Sequence, residues 1–298
     1  MEHRLDSLQR EVTRCLTAID VLRRQNVTLR VQLTDAVEQL ARRPVDPEDT
    51  ALRGEVDTAL RGEVERILER LGAASIAGAA IDYAGFEDRF RGSSEELRDA
   101  QRRYVDLFGL PAEAGSILDI GCGRGEMLEI LQEAGHTVVG VDMDADMVKV
   151  CRSKNLPVVQ DDAIHYLRGV EPRSLKGIFC SQVVEHLMTF ELEAVLQLGY
   201  ESLRSSGVFV IETINPRSLY ALGNHFFADT SHVRPVHPET LRYMCEQVGY
   251  SSTVLQECSE HPLASAAGSM PDDETGRAVA ALLRTVYGFQ DYAIIATK

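Results

Sequence analysis

No apolar run in the sequence approaches the roughly 18 residues that a membrane-spanning helix needs, and the charged start MEHRLDSLQR lacks the apolar stretch of a signal peptide. A cytoplasmic location without a transmembrane segment is the expectation. Basic residues are also in short supply: 31 Lys and Arg stand against 46 Asp and Glu, a formal net charge of -15. Such a balance repels phosphate backbones unless a local basic patch overrides it, so nucleic acid is not an expected partner. The 6 cysteines, at 15, 122, 151, 180, 245 and 258, show no C-x-x-C spacing. Neither a zinc site nor a disulfide framework is signalled, and the thiols are read as reduced. A P-loop lysine is missing as well.

What is present begins with a heptad register from residue 5 to residue 40. One seam position carries Leu5, Val12, Ile19, Asn26, Leu33 and Leu40, the other Leu8, Cys15, Leu22, Leu29 and Ala36. This is a coiled-coil pattern, and Asn26 inside the seam would fix register against its symmetry mate in a parallel two-stranded coil. A homodimer through residues 1–43 is the expectation; an amphipathic helix packed on the chain's own domain is the alternative. Pro44 and Pro47 end the segment, and ALRGEVDTALRGEVERILERL then places apolar residues on one helical face. A Gly/Ala-rich run at 72–80 reads as a connection. The expected division is a coiled coil at 1–43, a linker with a second amphipathic helix at 44–80, and a main domain at 81–298.

Within that domain the apolar runs SILDI, TVVGVD, PVVQD, GIFCSQ, GVFVIETI, STVLQEC and YAIIATK alternate with helical stretches. Such alternation predicts an α/β fold, a mostly parallel sheet with helices on both faces. A helix is expected at 278–287, after an acidic, loop-like SMPDDETG. Ligands of such sheets bind at the carboxyl ends of the strands. ILDIGCGRGEML, residues 117–128, is a strand, a glycine-rich turn and a helix start, with Gly121, Gly123 and Gly125 permitting positive backbone angles and close ligand approach. Its G-x-G-x-G spacing, preceded by Asp119, departs from the dinucleotide fingerprint. Asp142 ends the next strand about 20 residues on, where a carboxylate can accept from ribose hydroxyls. The third run ends in DDA, where Asp162 with Ala163 would meet an adenine amino group or simply cap a helix. Three such strand ends in sequence point to a nucleoside pocket.

ILDIGCGRGE, the acidic end of GVDMD, DDA and SQVVEHL together resemble class I S-adenosylmethionine-dependent methyltransferases. RFRGSSEELRDAQRRYVDLF, QVVEHL, IETINP and FFADTSHVRPVHPETL more narrowly resemble bacterial methyltransferases of glycan and O-antigen synthesis, which methylate sugar hydroxyls and are often joined to coiled coils or glycosyltransferases. The resemblance implies a Rossmann-like seven-stranded sheet, S-adenosylmethionine as cofactor, a sugar or glycan acceptor, and glycosyltransferase partners. Carried onto this sequence, it sets Gly121, Cys122 and Gly123 against the methionine part of the cofactor, with Asp119 and Glu126 nearby. Asp142 would hold the ribose, Met143 would cover the adenine, Asp162 and Ala163 would meet its edge, and Gln182 would close the pocket. Arg91 would pair with the cofactor carboxylate in a forked bond, or is a surface arginine of a covering helix.

Methyl transfer to a sugar hydroxyl needs alignment of the reactants and a base for a poorly acidic proton. His186, His232 and His237 are the candidates. His186 follows Glu185 at the end of the fourth strand; it is a base there or packs the next helix. The pattern is similar to the Glu-x-x-Glu-His of magnesium-binding O-methyltransferases of quinones and small-RNA 3′ ends, but Gln182 stands where their first glutamate does. Hard cations prefer carboxylates, so a divalent metal is possible but not expected. Glu212, Thr213 and Asn215 would hydrogen-bond a polyhydroxylated acceptor, although Asn-Pro is also a turn signal. Asn224, His225, Phe226, Phe227 and Asp229 suit a sugar ring, or form a lid with its own core. Pro238 fits a first helical position with His237 as N-cap. His232, oriented by Asp229, is the favoured base, and Arg234 the acceptor contact. The expected function is sugar O-methylation. Its alternatives are a metal-assisted small-molecule or RNA 3′-end O-methyltransferase, and a non-catalytic coiled-coil scaffold of glycan assembly.

Overall fold

The computed structural model describes residues 92–298; the coiled-coil segment, the linker with its second helix, and Arg91 lie outside the described residues. The chain enters through helix α1 (Ser94–Gln101), opened by a reciprocal capping box between Ser93 and Glu96. A 3-10 segment (Arg102–Phe108) follows. The seven apolar runs form seven strands: β1 (Ser116–Ile120), β2 (Val138–Asp142), β3 (Val158–Gln160), β4 (Leu175–Ser181), β5 (Leu203–Ile214), β6 (Ser252–Glu260) and β7 (Phe289–Thr297). They make one sheet in the order β3-β2-β1-β4-β5-β7-β6. The first five pair in parallel, while β7 runs antiparallel to both β5 and β6. This is the expected Rossmann-like α/β architecture, with helices on both faces.

The strands are apolar on both sides because both sides are covered. Leu118, Ile120, Ile178, Cys180, Phe209 and Ile211 face α5 (Thr189–Ser202) and α7 (Pro238–Val248), whose Leu192, Leu196 and Leu241 are buried against them. Ile117, Phe179 and Val210 point the other way, toward the 3-10 segment and α2 (Glu126–Glu133). Burying a side chain such as Phe209 completely stabilises the fold by about 1.5–3 kcal/mol. Helices α3 (Ala145–Ser153) and α4 (Ala163–Arg168) complete the parallel half.

Two insertions rise from the other half. One, after β5, holds α6 (Leu219–Asn224) and a 3-10 turn (Phe226–Ala228); the other joins β6 to β7 through α8 (Pro262–Ser265) and α9 (Glu274–Val286). They meet through Tyr220, whose ring centroid lies 4.8 Å from that of His261 and 5.7 Å from that of Tyr287. The helix expected at 278–287 starts four residues earlier, at Glu274, because Asp273 caps it by accepting from the Gly276 N–H. The acidic run is thus partly a helix start. No helix among the described residues is long and apolar enough to cross a membrane.

The 3-10 segment is pinned to the sheet by shape. A Cβ on Gly177 would lie 2.2 Å from Phe108 Cδ1, inside the space the ring fills. Gly177→Ala is expected to cost about 1–3 kcal/mol through overpacking, read as a lower urea midpoint; an unchanged midpoint would mean that Phe108 does not occupy that notch.

Candidate active site

The glycine turn after β1 is held in conformations that only glycine adopts without strain: φ is 65° at Gly121, 51° at Gly123 and 85° at Gly125. A Cβ on Gly121 would come within 2.4 Å of Val183 Cγ2, so the turn also needs glycine to approach the end of β4. Asp142 braces it, accepting from the N–H groups of Gly123 and Asp144, both at 2.8 Å. A carboxylate offers about four acceptor positions, so this bracing is compatible with ribose hydroxyls. Cys122 is buried, and the neighbouring Cys151 thiol donates to the Gly123 carbonyl at 3.2 Å. Glu126 pairs with Arg124 at 2.8 Å and accepts from Ser94 Oγ at 2.9 Å, tying α1 to the turn.

A cavity of about 530 Å³ opens above this turn, within the size range of small-molecule sites. Asp119, Gly121, Cys122, Gly123, Glu126, Gln182, His186 and His232 all line it. Asp142, Met143, Asp162 and Ala163 do not; they stand at the ends of β2 and β3, with the Met143 side chain largely exposed. One oxygen of Asp162 accepts from the Ile164 and His165 N–H groups, so the capping reading of that aspartate is realised.

The segment around residue 232 folds back on the 3-10 turn (Val184–His186) that follows β4. The Glu185 backbone carbonyl accepts from the N–H groups of Val233 at 2.8 Å and Arg234 at 3.3 Å. Glu185 itself is fully buried, its carboxylate accepting from Thr213 Oγ1 at 2.8 Å. This docking brings the His186 and His232 rings to a centroid distance of 4.6 Å, edge to face. A Glu185 oxygen and one nitrogen of each ring lie within 4.8 Å of one another. His186 and His232, both named as candidate bases from the sequence, thus stand together beside Glu185.

Several expectations are corrected. Asp229 does stand beside His232, as expected, but at ion-pair rather than hydrogen-bond distance, Oδ2 lying 3.9 Å from Nε2. The ring is held by the Phe226 carbonyl, 2.6 Å from Nδ1, and by stacking on the Phe226 ring. Arg234 is absent from the cavity lining. Thr213 faces Glu185, on the side of the sheet away from Glu212. Asn215 serves its turn, accepting from the Arg217 N–H and donating to the Phe289 carbonyl. His237 caps α7 with Pro238 at its first turn, as read from the sequence.

The cavity floor holds a pair that sequence reading only half found. Glu212 lines it, accepting from Ser181 Oγ at 2.9 Å and from the Tyr104 hydroxyl. Asp291 of β7 lines it too, accepting from the Gln182 amide at 3.1 Å. Burial pushes both carboxyls above their ordinary range, and the charge of Asp291 adds to the effect on Glu212. A lone aspartate in the apolar run FQDYAIIAT was the available signal for Asp291. Tyr220, Asn224 and His225 complete this end.

Residues 88–255 match the profile of a family described as a methyltransferase domain. The crystal structure of an S-adenosylmethionine-dependent methyltransferase from Archaeoglobus fulgidus is 38% identical, with a TM-score of 0.64, over 73% of this chain and 100% of that one. The mitochondrial ubiquinone biosynthesis O-methyltransferase of Mus musculus is 33% identical over 161 residues, 48% of this chain and 43% of its own length. A ubiquinone biosynthesis O-methyltransferase of Xylella fastidiosa is 29% identical over 36% of this chain and 44% of its own. The chain thus spans less than half the length of these curated relatives. The parallel sheet with its antiparallel β7 and the glycine turn at β1 define a class I S-adenosylmethionine-dependent methyltransferase. With more than half of its residues inside the matching profile, the chain belongs to this methyltransferase family.

Asp142→Ala removes both the brace and the acceptor oxygens at the end of β2. Loss of hydrogen bonds to a charged group, about 1.5–3 kcal/mol, is expected to weaken S-adenosylmethionine binding roughly 10- to 100-fold by calorimetric titration. Unchanged affinity would remove Asp142 from the cofactor site.

Proposed function

We propose that the protein transfers a methyl group from S-adenosylmethionine to a hydroxyl of a sugar or glycan. The observation that carries this reading is that His186 and His232 line the same cavity as the glycine turn, with the buried Glu185 carboxylate beside them. The O-methyltransferase relatives support oxygen as the atom methylated. Support for a polyhydroxylated acceptor comes from the groups at that end: Glu212, Asp291, Asn224 and His225 for hydrogen bonding, with the Tyr220 ring as an apolar face. The heptads of residues 1–43 support a homodimer, and the glycan-type motifs a setting beside glycosyltransferases.

When bound, the cofactor supplies a methyl group already activated on a sulfonium and departs as the neutral thioether. Gly121, Cys122 and Gly123, with Asp119 and Glu126, would hold its methionine part, Asp142 its ribose, and Met143, Asp162 and Ala163, at the ends of β2 and β3, its adenine. Gln182 separates the two ends, its amide fixed by Asp291. One of the two imidazoles takes the acceptor hydroxyl proton as oxygen attacks in line, a contribution of about 10²–10⁴ in rate. Replacing that histidine with alanine is therefore expected to lower kcat about 100- to 10,000-fold and leave cofactor affinity intact. Radiolabelled cofactor offered with nucleotide sugars, oligosaccharides and lipid-linked glycans should label at least one; transfer only to another compound class would overturn the sugar reading.

The 4.8 Å cluster favours a second reading. One carboxylate and two imidazoles form a donor set suited to manganese, iron, cobalt or zinc more than to magnesium. A cation held by Glu185, His186 and His232 would acidify an acceptor hydroxyl. Activity lost to a chelator and restored by manganese is the expected outcome of that reading; full activity after exhaustive chelation would dismiss it.

A further inference from the structure

The two imidazoles are held by different devices, and one of them is a side-chain relay. The Asp229 carboxylate oxygen Oδ1 accepts from the Ser231 N–H at 2.8 Å, the local turn bond typical of aspartate. The same oxygen accepts from the Ser231 hydroxyl at 2.5 Å, a length in the range of bonds to an ionised acceptor. Ser231 Oγ also lies 3.1 Å from His186 Nδ1. A hydroxyl carries one proton. With that proton directed at Asp229, Oγ can only accept from His186, so Nδ1 must carry the ring proton and Nε2 the lone pair.

We infer that Ser231 is a positioning residue that relays the Asp229 carboxylate to His186 and locks this ring in the Nδ1–H tautomer. The second ring reaches the same state by another route: the Phe226 carbonyl has no proton, so His232 Nδ1 must donate to it. The two Nδ1 atoms are thus fixed differently, that of His232 by backbone and that of His186 by Ser231, while His232 Nε2 lies 3.9 Å from Asp229 Oδ2. Asp229, expected to orient His232 and standing at that distance from it, also reaches His186 through Ser231. The arrangement matters chemically because a neutral imidazole has a single acceptor nitrogen, chosen by what the other nitrogen bonds. Removing the relay lets the ring proton occupy either nitrogen, and the acceptor nitrogen then faces the cavity only part of the time.

The tautomer is read in the full-length protein with 15N-labelled histidine, by long-range 1H–15N correlation, with the His186 signals assigned by their loss in His186→Gln. The expected wild-type pattern is a protonated Nδ1 and an unprotonated Nε2. Ser231→Ala should move both shifts toward averaged values, while Ser231→Thr, which keeps the hydroxyl, should retain the wild-type pattern. Kinetically, Ser231→Ala is expected to lower kcat roughly 10- to 100-fold, the range seen when a partner orienting a histidine is removed. KM for S-adenosylmethionine should stay unchanged and threonine should restore turnover. A protonated Nε2 in the wild type, or a tautomer indifferent to Ser231→Ala, overturns the relay. The kinetic arm rests on the proposed role of the histidine pair, and the two failures are separable: full activity in His186→Gln with the expected wild-type shifts would remove His186 as base and leave the relay standing.

Discussion

The acceptor end of this molecule depends on one buried residue, Glu185. Its carboxylate ties the end of β4 to β5 through Thr213, and its backbone carbonyl takes two N–H groups from the segment after β5. A fully buried carboxylate is costly unless hydrogen-bonded. The Thr213 hydroxyl offsets part of that cost. Because the carbonyl bonds belong to the same residue, the loop bearing His232 is registered against His186 by the 3-10 turn (Val184–His186) after β4. Sites built on such rigid elements hold their groups more closely than sites on free loops.

The two halves of the cavity were unequally legible in the sequence. The cofactor half lies at consecutive strand ends, so SILDI followed by three glycines, and then GVDMD, carries its geometry in linear order. Periodicity and glycine spacing are local properties, and local properties can be read without coordinates. The acceptor half is assembled from Tyr104, Ser181, Glu212, Asp229 and Asp291, which come together only through the sheet order and the two insertions. Proximity in sequence suggested an Asp229–His232 pair, which stands at 3.9 Å, but not that Ser231 would link the same carboxylate to His186. Asp162 was evenly balanced between capping and ligand contact, and the cap bonds show one of its oxygens at work on the helix.

Beneath the acceptor, Glu212 and Asp291 form a floor of opposite character to the glycine cradle. They stand on neighbouring antiparallel strands and emerge on the face covered by the 3-10 segment. Both carboxyls hold their protons more tightly than usual because water is excluded, and the nearby Asp291 charge adds to the effect on Glu212. Tyr104 and Ser181 donate to one and Gln182 to the other, so the pair is satisfied by neutral donors.

The two insertions meet at Tyr220, yet each leaves and re-enters the sheet at its antiparallel side. The parallel strands that shape the glycine turn are not interrupted by either. Recognition of the acceptor and handling of the methyl donor are thereby mechanically separate modules. Changes of length or composition in the α6 and α8–α9 segments can retune what is methylated, while the ladder that sets the donor's geometry stays the same.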